Sequence, residues 1–114
     1  MEDQKSKKLT ADIIIFGGGI AGLWALNYLN NLGYDAILLE NNKLGSGQTI
    51  KSQGIIHGGL KYALNGVLTK ETELISKMPN VWQSCLQGEG GVNLKDAKVI
   101  SNSQVMISKK EIKS

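Results

Sequence analysis

ADIIIFGGGIAGLWALNYLNNLGYDAILLE, residues 11–40, decides the fold of this 114-residue chain. Ile13–Phe16 is a run of four apolar residues, the first three β-branched, stopped by glycine, and it reads as a fully buried strand. From about Ile20 to Leu32 the pattern turns helical. Leu23, Leu26 and Leu29 recur every three residues, and Trp24 and Tyr28 stand four apart. Gly33 is expected to end that helix in the left-handed conformation. Ala36–Leu39 is a second buried strand. Two buried strands around a helix predict a parallel pair joined by a right-handed crossover, an α/β chain built on a Rossmann-like β-α-β unit.

The glycines at the first turn carry chemistry. Gly17, Gly19 and Gly22 satisfy G-x-G-x-x-G with a strand before, a helix after and Glu40 at the end of the next strand. Gly17 lets the chain turn tightly out of the strand. Gly19, having no side chain, lets a pyrophosphate approach the N–H groups at the helix N-terminus, and Gly22 lets the helix pack close to the sheet. Glu40 stands near the offset of about 20 residues expected of a ribose-binding carboxylate. The bland alternative is a tight turn beside a solvated acid; strand, helix and acid together favour dinucleotide binding. A carboxylate at Glu40 suits the ribose of NAD or FAD and repels the 2′-phosphate of NADP. The chain also has no arginine, the usual bidentate phosphate ligand.

The rest of the chain sets limits. Between Leu9 and Ser108 seven lysines meet seven acids, so the net charge of +3 lies wholly in the two tails. No basic face for nucleic acid is expected. Cys85 is the single cysteine and His57 the single histidine, which exclude an intrachain disulfide and any site needing two imidazoles. The lone thiol fits a reducing, cytoplasmic compartment, and Cys85 reads as a small buried hydrophobe. The apolar run from Ile13 to Leu26 is too short to span a bilayer and lacks a signal-cleavage pattern, so no transmembrane segment is expected. Residues 41–66 are glycine-rich and predict a loop with short elements. Thr69 could cap a helix with Glu71 and Glu73 in its first turn. Pro79 should interrupt it, with a short helix carrying Val81, Trp82, Cys85 and Leu86 beyond. Short strands are expected at Val92–Leu94 and Lys98–Ile100. Trp24 and Tyr28 are expected to pack on the outer helix face.

These residues carry a resemblance. Residues 12–40 look like the N-terminal segment of FAD-dependent oxidoreductases of the D-amino-acid oxidase and glycerol-3-phosphate dehydrogenase type. "GSGQT" (45–49) and "SQGIIHGGLKYAL" (52–64) resemble the two following elements of that superfamily, and "IHGGLKY" is especially similar to FAD-linked glycerol-3-phosphate dehydrogenases. The resemblance runs from about Asp12 to Tyr62 and becomes faint afterwards; Leu26 departs from the small residue common there. It implies FAD as cofactor, with Gly17, Gly18, Gly19, Ile20, Ala21 and Gly22 at the pyrophosphate and Glu40 on the adenosine ribose. Gly47, Thr49, Ser52 and Gln53 would line the pyrophosphate and approach the isoalloxazine, with His57 near the flavin. For His57 a loop histidine bonded to backbone stands at even weight with a flavin contact.

Enzymes of this type are much longer. The polar residues 1–10 read as a disordered tail; the resemblance implies a partial FAD-binding domain over 11–105 with a truncated parallel sheet, and a polar tail follows over 106–114. Such a chain lacks the substrate domain and is expected to be inactive alone. Three readings stay open: the FAD-binding portion of an oxidoreductase acting on a small polar substrate, a nucleotide-binding module completed by a separately encoded partner, and a remnant unable to fold alone. An NAD-binding Rossmann domain is the alternative on cofactor. An incomplete sheet should expose a sizeable apolar face.

Overall fold

The computed structural model describes residues 8–59 and 70–105. The tail expectations at residues 1–7 and 106–114, residues 60–64 of the family-like segment and the expected Thr69 cap lie outside the described residues. Strand β1 (Ile13–Phe16) and strand β2 (Ala36–Leu39) pair in parallel, in register from Ile13 opposite Ala36 to Phe16 opposite Leu39. The pairing extends past both ends. Asp12 N–H donates to the Asp35 carbonyl at 2.8 Å, and Gly17 N–H to the Leu39 carbonyl at 2.9 Å. The Asp12 carboxylate also accepts the Asp35 N–H at 2.8 Å, which fixes where the second strand starts.

Helix α1 (Ile20–Asn31) joins the strands and packs on both. Its end follows from Gly33, whose φ of +91° is open to glycine at little cost. Gly33 N–H donates to the Asn30 carbonyl and Tyr34 N–H to the Leu29 carbonyl, the paired bonds of a Schellman ending. The Asn30 side chain then accepts the Ala36 N–H at 3.3 Å, tying the helix end to β2.

The strands are not fully buried, contrary to the sequence expectation. Burial alternates along β1: Ile13 and Ile15 are half-buried against α1, whereas Ile14 is 51% and Phe16 80% exposed. Leu39 on β2 is 49% exposed. One helix covers one face, and Ile14, Phe16 and Leu39 leave the sheet's apolar surface open elsewhere. The expected apolar face is thus present. Burying each such side chain would be worth about 1.5–3 kcal/mol.

Beyond β2, a single-turn helix α2 (Gln48–Lys51) interrupts the glycine-rich loop. Helix α3 runs unbroken from Lys70 to Gln87 with Pro79 inside it, where the sequence predicted an interruption. Proline removes one N–H and crowds the carbonyl four residues back. Contacts on both sides of it hold the helix together. Met78 and Trp82 line a shallow apolar cleft with Ile20, Ala21 and Trp24 of α1, and Trp82 meets Trp24 edge-on with ring centroids 4.9 Å apart. One turn further, Cys85 is fully buried. Trp24 thus packs as expected, against another helix. The Glu73–Lys77 ion pair at 2.8 Å is exposed and contributes little.

Neither Val92–Leu94 nor Lys98–Ile100 forms a strand. The chain after α3 instead folds back on the helix end. Glu89 and Gly90 N–H groups donate to the Ser84 carbonyl, Leu94 N–H donates to the Cys85 carbonyl, and Val92 is buried. The Leu94 N–H that a strand would pair is thus engaged at the helix terminus, while Val99 and Ile100 lie exposed. Asn31 of α1 donates to the Gly91 carbonyl at 3.0 Å, joining this segment to the β-α-β unit. Gly90 has no room for a side chain: an added Cβ would lie 2.5 Å from Cys85 Sγ and 2.8 Å from its backbone nitrogen. Gly90→Ala should therefore lower stability by about 1–3 kcal/mol, read as a lower urea midpoint. An unchanged midpoint would show that this turn packs differently.

Candidate functional site

The site is built at the carboxyl ends of β1 and β2, where the chain leaves one strand for α1 and the other for the glycine-rich loop. Gly17 makes the first turn with φ +105°. Gly22, one turn into α1, sits so close to the Gly17 carbonyl that an added Cβ would overlap its oxygen and lie 3.1 Å from its carbon. The helix therefore rests against the turn that feeds it, the geometry expected of the third motif glycine.

Gly18 joins the site together. It is buried, its N–H donates to Glu40 Oε2 at 2.6 Å, and its carbonyl accepts the Gly45 N–H at 2.8 Å. An added Cβ would lie 2.6 Å from Leu44 Cδ2 and 3.2 Å from Glu40 Cβ. The motif leaves this position free, so the crowding around it is tertiary. Its sequence signal was the triple glycine; Leu44, which closes over it, carried no signal.

Glu40 is no freely solvated acid. Its second oxygen accepts the Asn42 N–H at 2.9 Å. The N–H donors of Gly18 and Asn42 favour the charged form and lower its pKa below the ordinary carboxylate range. The carboxylate is held at the strand end beside the glycine turn, with lone pairs left on both oxygens for further donors.

The N-terminus of α1 opens into the same place. Gly19 caps it in extended conformation and offers no side-chain bond. The Ile20 N–H donates instead to Thr49 Oγ1 at 2.9 Å, across from α2. Ile20 and Ala21 contribute backbone here, while their side chains line the cleft toward Met78 and Trp82. Gly47, with φ +69°, precedes α2, and Ser52 ends it.

The structure thus brings together Gly17, Gly18, Gly19, Ile20, Gly22, Glu40 and Thr49. No hydrogen bond among the described residues ties the Ser52 side chain, Gln53 or His57 to this cluster. His57 Nδ1 accepts the Gly59 N–H at 3.1 Å, which leaves the ring's other nitrogen to carry the proton in the neutral form. A Cβ added at the adjoining Gly58 would lie 3.7 Å from Pro79 Cγ of α3.

A glycine turn between a strand and a helix N-terminus, with a carboxylate at the neighbouring parallel strand end, defines a dinucleotide-binding β-α-β unit. The family described as DAO, FAD dependent oxidoreductase, matches residues 12–97. The chain belongs to this family. Among curated relatives, it is 48% identical over 100 residues to the Probable FAD-dependent oxidoreductase PA4991 of Pseudomonas aeruginosa, covering 88% of this chain and 26% of that protein. It is 39% identical over 57 residues to one subunit of the anaerobic glycerol-3-phosphate dehydrogenase of Haemophilus influenzae, covering 50% of this chain and 10% of that one. An alpha-glycerophosphate oxidase of Enterococcus casseliflavus is 34% identical over 59 residues, covering 52% and 10%. The crystal structure of the P. aeruginosa oxidoreductase superposes with a TM-score of 0.71 at 42% identity, over 83% of this chain and 24% of that one. The chain spans about a quarter of the length of its first relative. Among the described residues no helix is long and apolar enough to cross a membrane.

Proposed function

We propose that this chain supplies the FAD-binding portion of a flavin-dependent oxidoreductase that takes hydride from a small polar substrate. The observation that carries the reading is the Glu40 carboxylate held against the Gly17–Gly19 turn at the mouth of α1, in a chain of an FAD-dependent family. Glu40 would accept the adenosine ribose hydroxyls. The Ile20 N–H and the open side of Gly19 would receive the pyrophosphate, with Ala21 following in the same first turn. Gly47, Thr49, Ser52 and Gln53 would follow the dinucleotide toward its flavin end, and His57 would stand near the flavin. Bound flavin would supply the redox chemistry; the protein's part is to hold and orient it.

The exposed Ile14, Phe16 and Leu39 favour a second feature: further polypeptide, whether in the same chain or separately encoded, covers this face in the active enzyme. The test is the visible spectrum of the purified 114-residue chain after incubation with FAD and desalting. Flavin bands at near-equimolar ratio are expected if the described site suffices. A colourless chain would overturn binding by this chain alone and assign the missing contacts to the covering polypeptide.

A further inference from the structure

We infer that Leu44 is a positioning residue for the nucleotide site: lying over Gly18, it holds the Glu40 carboxylate in the place where a ribose would meet it. The inference rests on the flavin reading of the glycine loop. The chain from Glu40 to Gly45 leaves β2 and returns to a single residue of the glycine turn. The Gly18 N–H donates to Glu40 Oε2 at 2.6 Å, and the Gly18 carbonyl accepts the Gly45 N–H at 2.8 Å. The Leu44 side chain closes the third side. A Cβ added at Gly18 would lie 2.6 Å from Leu44 Cδ2 and 3.2 Å from both Cβ and Cγ of Glu40. The two side chains thus border one small space, left open because Gly18 has no side chain.

A glutamate at a strand end needs such a hold. Fixing a long acidic side chain costs rotamer freedom, and water competes for its N–H partners. Leu44 works against both, because it stands in the space into which the aliphatic part of Glu40 would otherwise swing. Gly45, with φ +72°, sets the backbone from which Leu44 reaches back. Leu44 is itself 62% exposed, so core packing does not account for its place. With the carboxylate fixed in advance, a ribose would bind without the cost of ordering that side chain. Among the described residues the hydrogen-bond partners of Glu40 are backbone N–H groups, and no lysine pairs with it.

The experiment follows the Glu40 carboxyl carbon by NMR across the acid range in the wild-type chain, Leu44→Ala and Leu44→Met. Far-UV circular dichroism checks the fold of each. Wild type should titrate below the ordinary carboxylate range. Leu44→Ala should titrate closer to that range, because a carboxylate released from Gly18 loses an N–H bond that favours its charged form. Leu44→Met, of similar volume, should stay near wild type. If Leu44 merely shielded the carboxylate from water, its removal would shift the titration the other way, since burial disfavours the charged form. That result, or no shift, would overturn the inference. FAD binding, read by quenching of flavin fluorescence, should weaken about two- to tenfold in Leu44→Ala, the range set by ordering one long side chain. Introduced into Glu40→Ala, the same change should weaken binding no further. An unchanged affinity, or an equal loss with and without Glu40, would also overturn the inference. If no chain binds FAD, the flavin reading falls, and the titration still decides the role of Leu44. The wild-type chain alone should show a nuclear Overhauser contact between a Leu44 methyl and the Gly18 α-protons; its absence would overturn the inference without any variant.

Discussion

Gly22→Ala is expected to disrupt the β1–α1 turn and, with it, any retained flavin. The new methyl would overlap the Gly17 carbonyl oxygen and lie 3.1 Å from its carbon and 3.3 Å from Leu38 Cδ1. A backbone carbonyl cannot rotate out of the way as a side chain can. Gly17 is itself fixed by its N–H bond to the Leu39 carbonyl and by its φ of +105°. The helix must move off the sheet instead, opening the half-buried contacts of Ile13 and Ile15. Overpacking costs about 1–3 kcal/mol where neighbours can adjust and more where they cannot, a large share of the stability of any small domain. Gly33→Ala is the control. Its added Cβ meets nothing within 4 Å, so only the φ of +91° opposes it, a cost of about 1–2 kcal/mol. Urea unfolding should lower the midpoint of Gly22→Ala well below that of Gly33→Ala. Equal midpoints would mean that helix and turn are not in the contact described.

Glu40→Gln should weaken FAD binding by on the order of tenfold, since a hydrogen bond to a charged group is among the stronger ones lost on substitution. It should also change how stability depends on pH. The Gly18 and Asn42 N–H groups depress the Glu40 pKa in the folded chain. The carboxylate therefore contributes stability above the ordinary glutamate range of the unfolded chain, and that contribution is lost as pH falls through the lower folded value. Wild type should lose stability on acidification over this window relative to Glu40→Gln. Urea midpoints of the two chains at neutral pH and across the acid range check this. Parallel curves would show that the N–H contacts do not hold the carboxylate in solution.

The elements nearest the site were legible because each announces itself locally. The β-branched run of Ile13–Ile15, the leucine spacing from Leu23 to Leu29 and the left-handed glycine at Gly33 each restrict the chain within a few residues. The structure places β1, α1 and β2 accordingly. The sequence misled at Pro79, and at Val92–Leu94 and Lys98–Ile100. Local propensity favours a break at proline and strands at β-branched residues, but at Pro79 and Val92–Leu94 it is overridden by contacts from elsewhere. Met78, Trp82 and Cys85 continue one apolar face through the proline, and the segment after Gly88 finds its acceptors at the end of α3.

The same division runs through the site. The sequence by itself determined the parallel β-α-β unit, the turn glycines and the acid at the second strand end, because these depend on backbone conformation and short-range order along the chain. Only the tertiary structure decided that Gly18 lies crowded between Leu44 and Glu40, that the Glu40 carboxylate is bound to it, and that Thr49 caps a helix from another part of the chain. Those facts depend on which atoms meet across 22 and 29 residues of sequence, and closeness in space at such separations is set by packing, which no local pattern records.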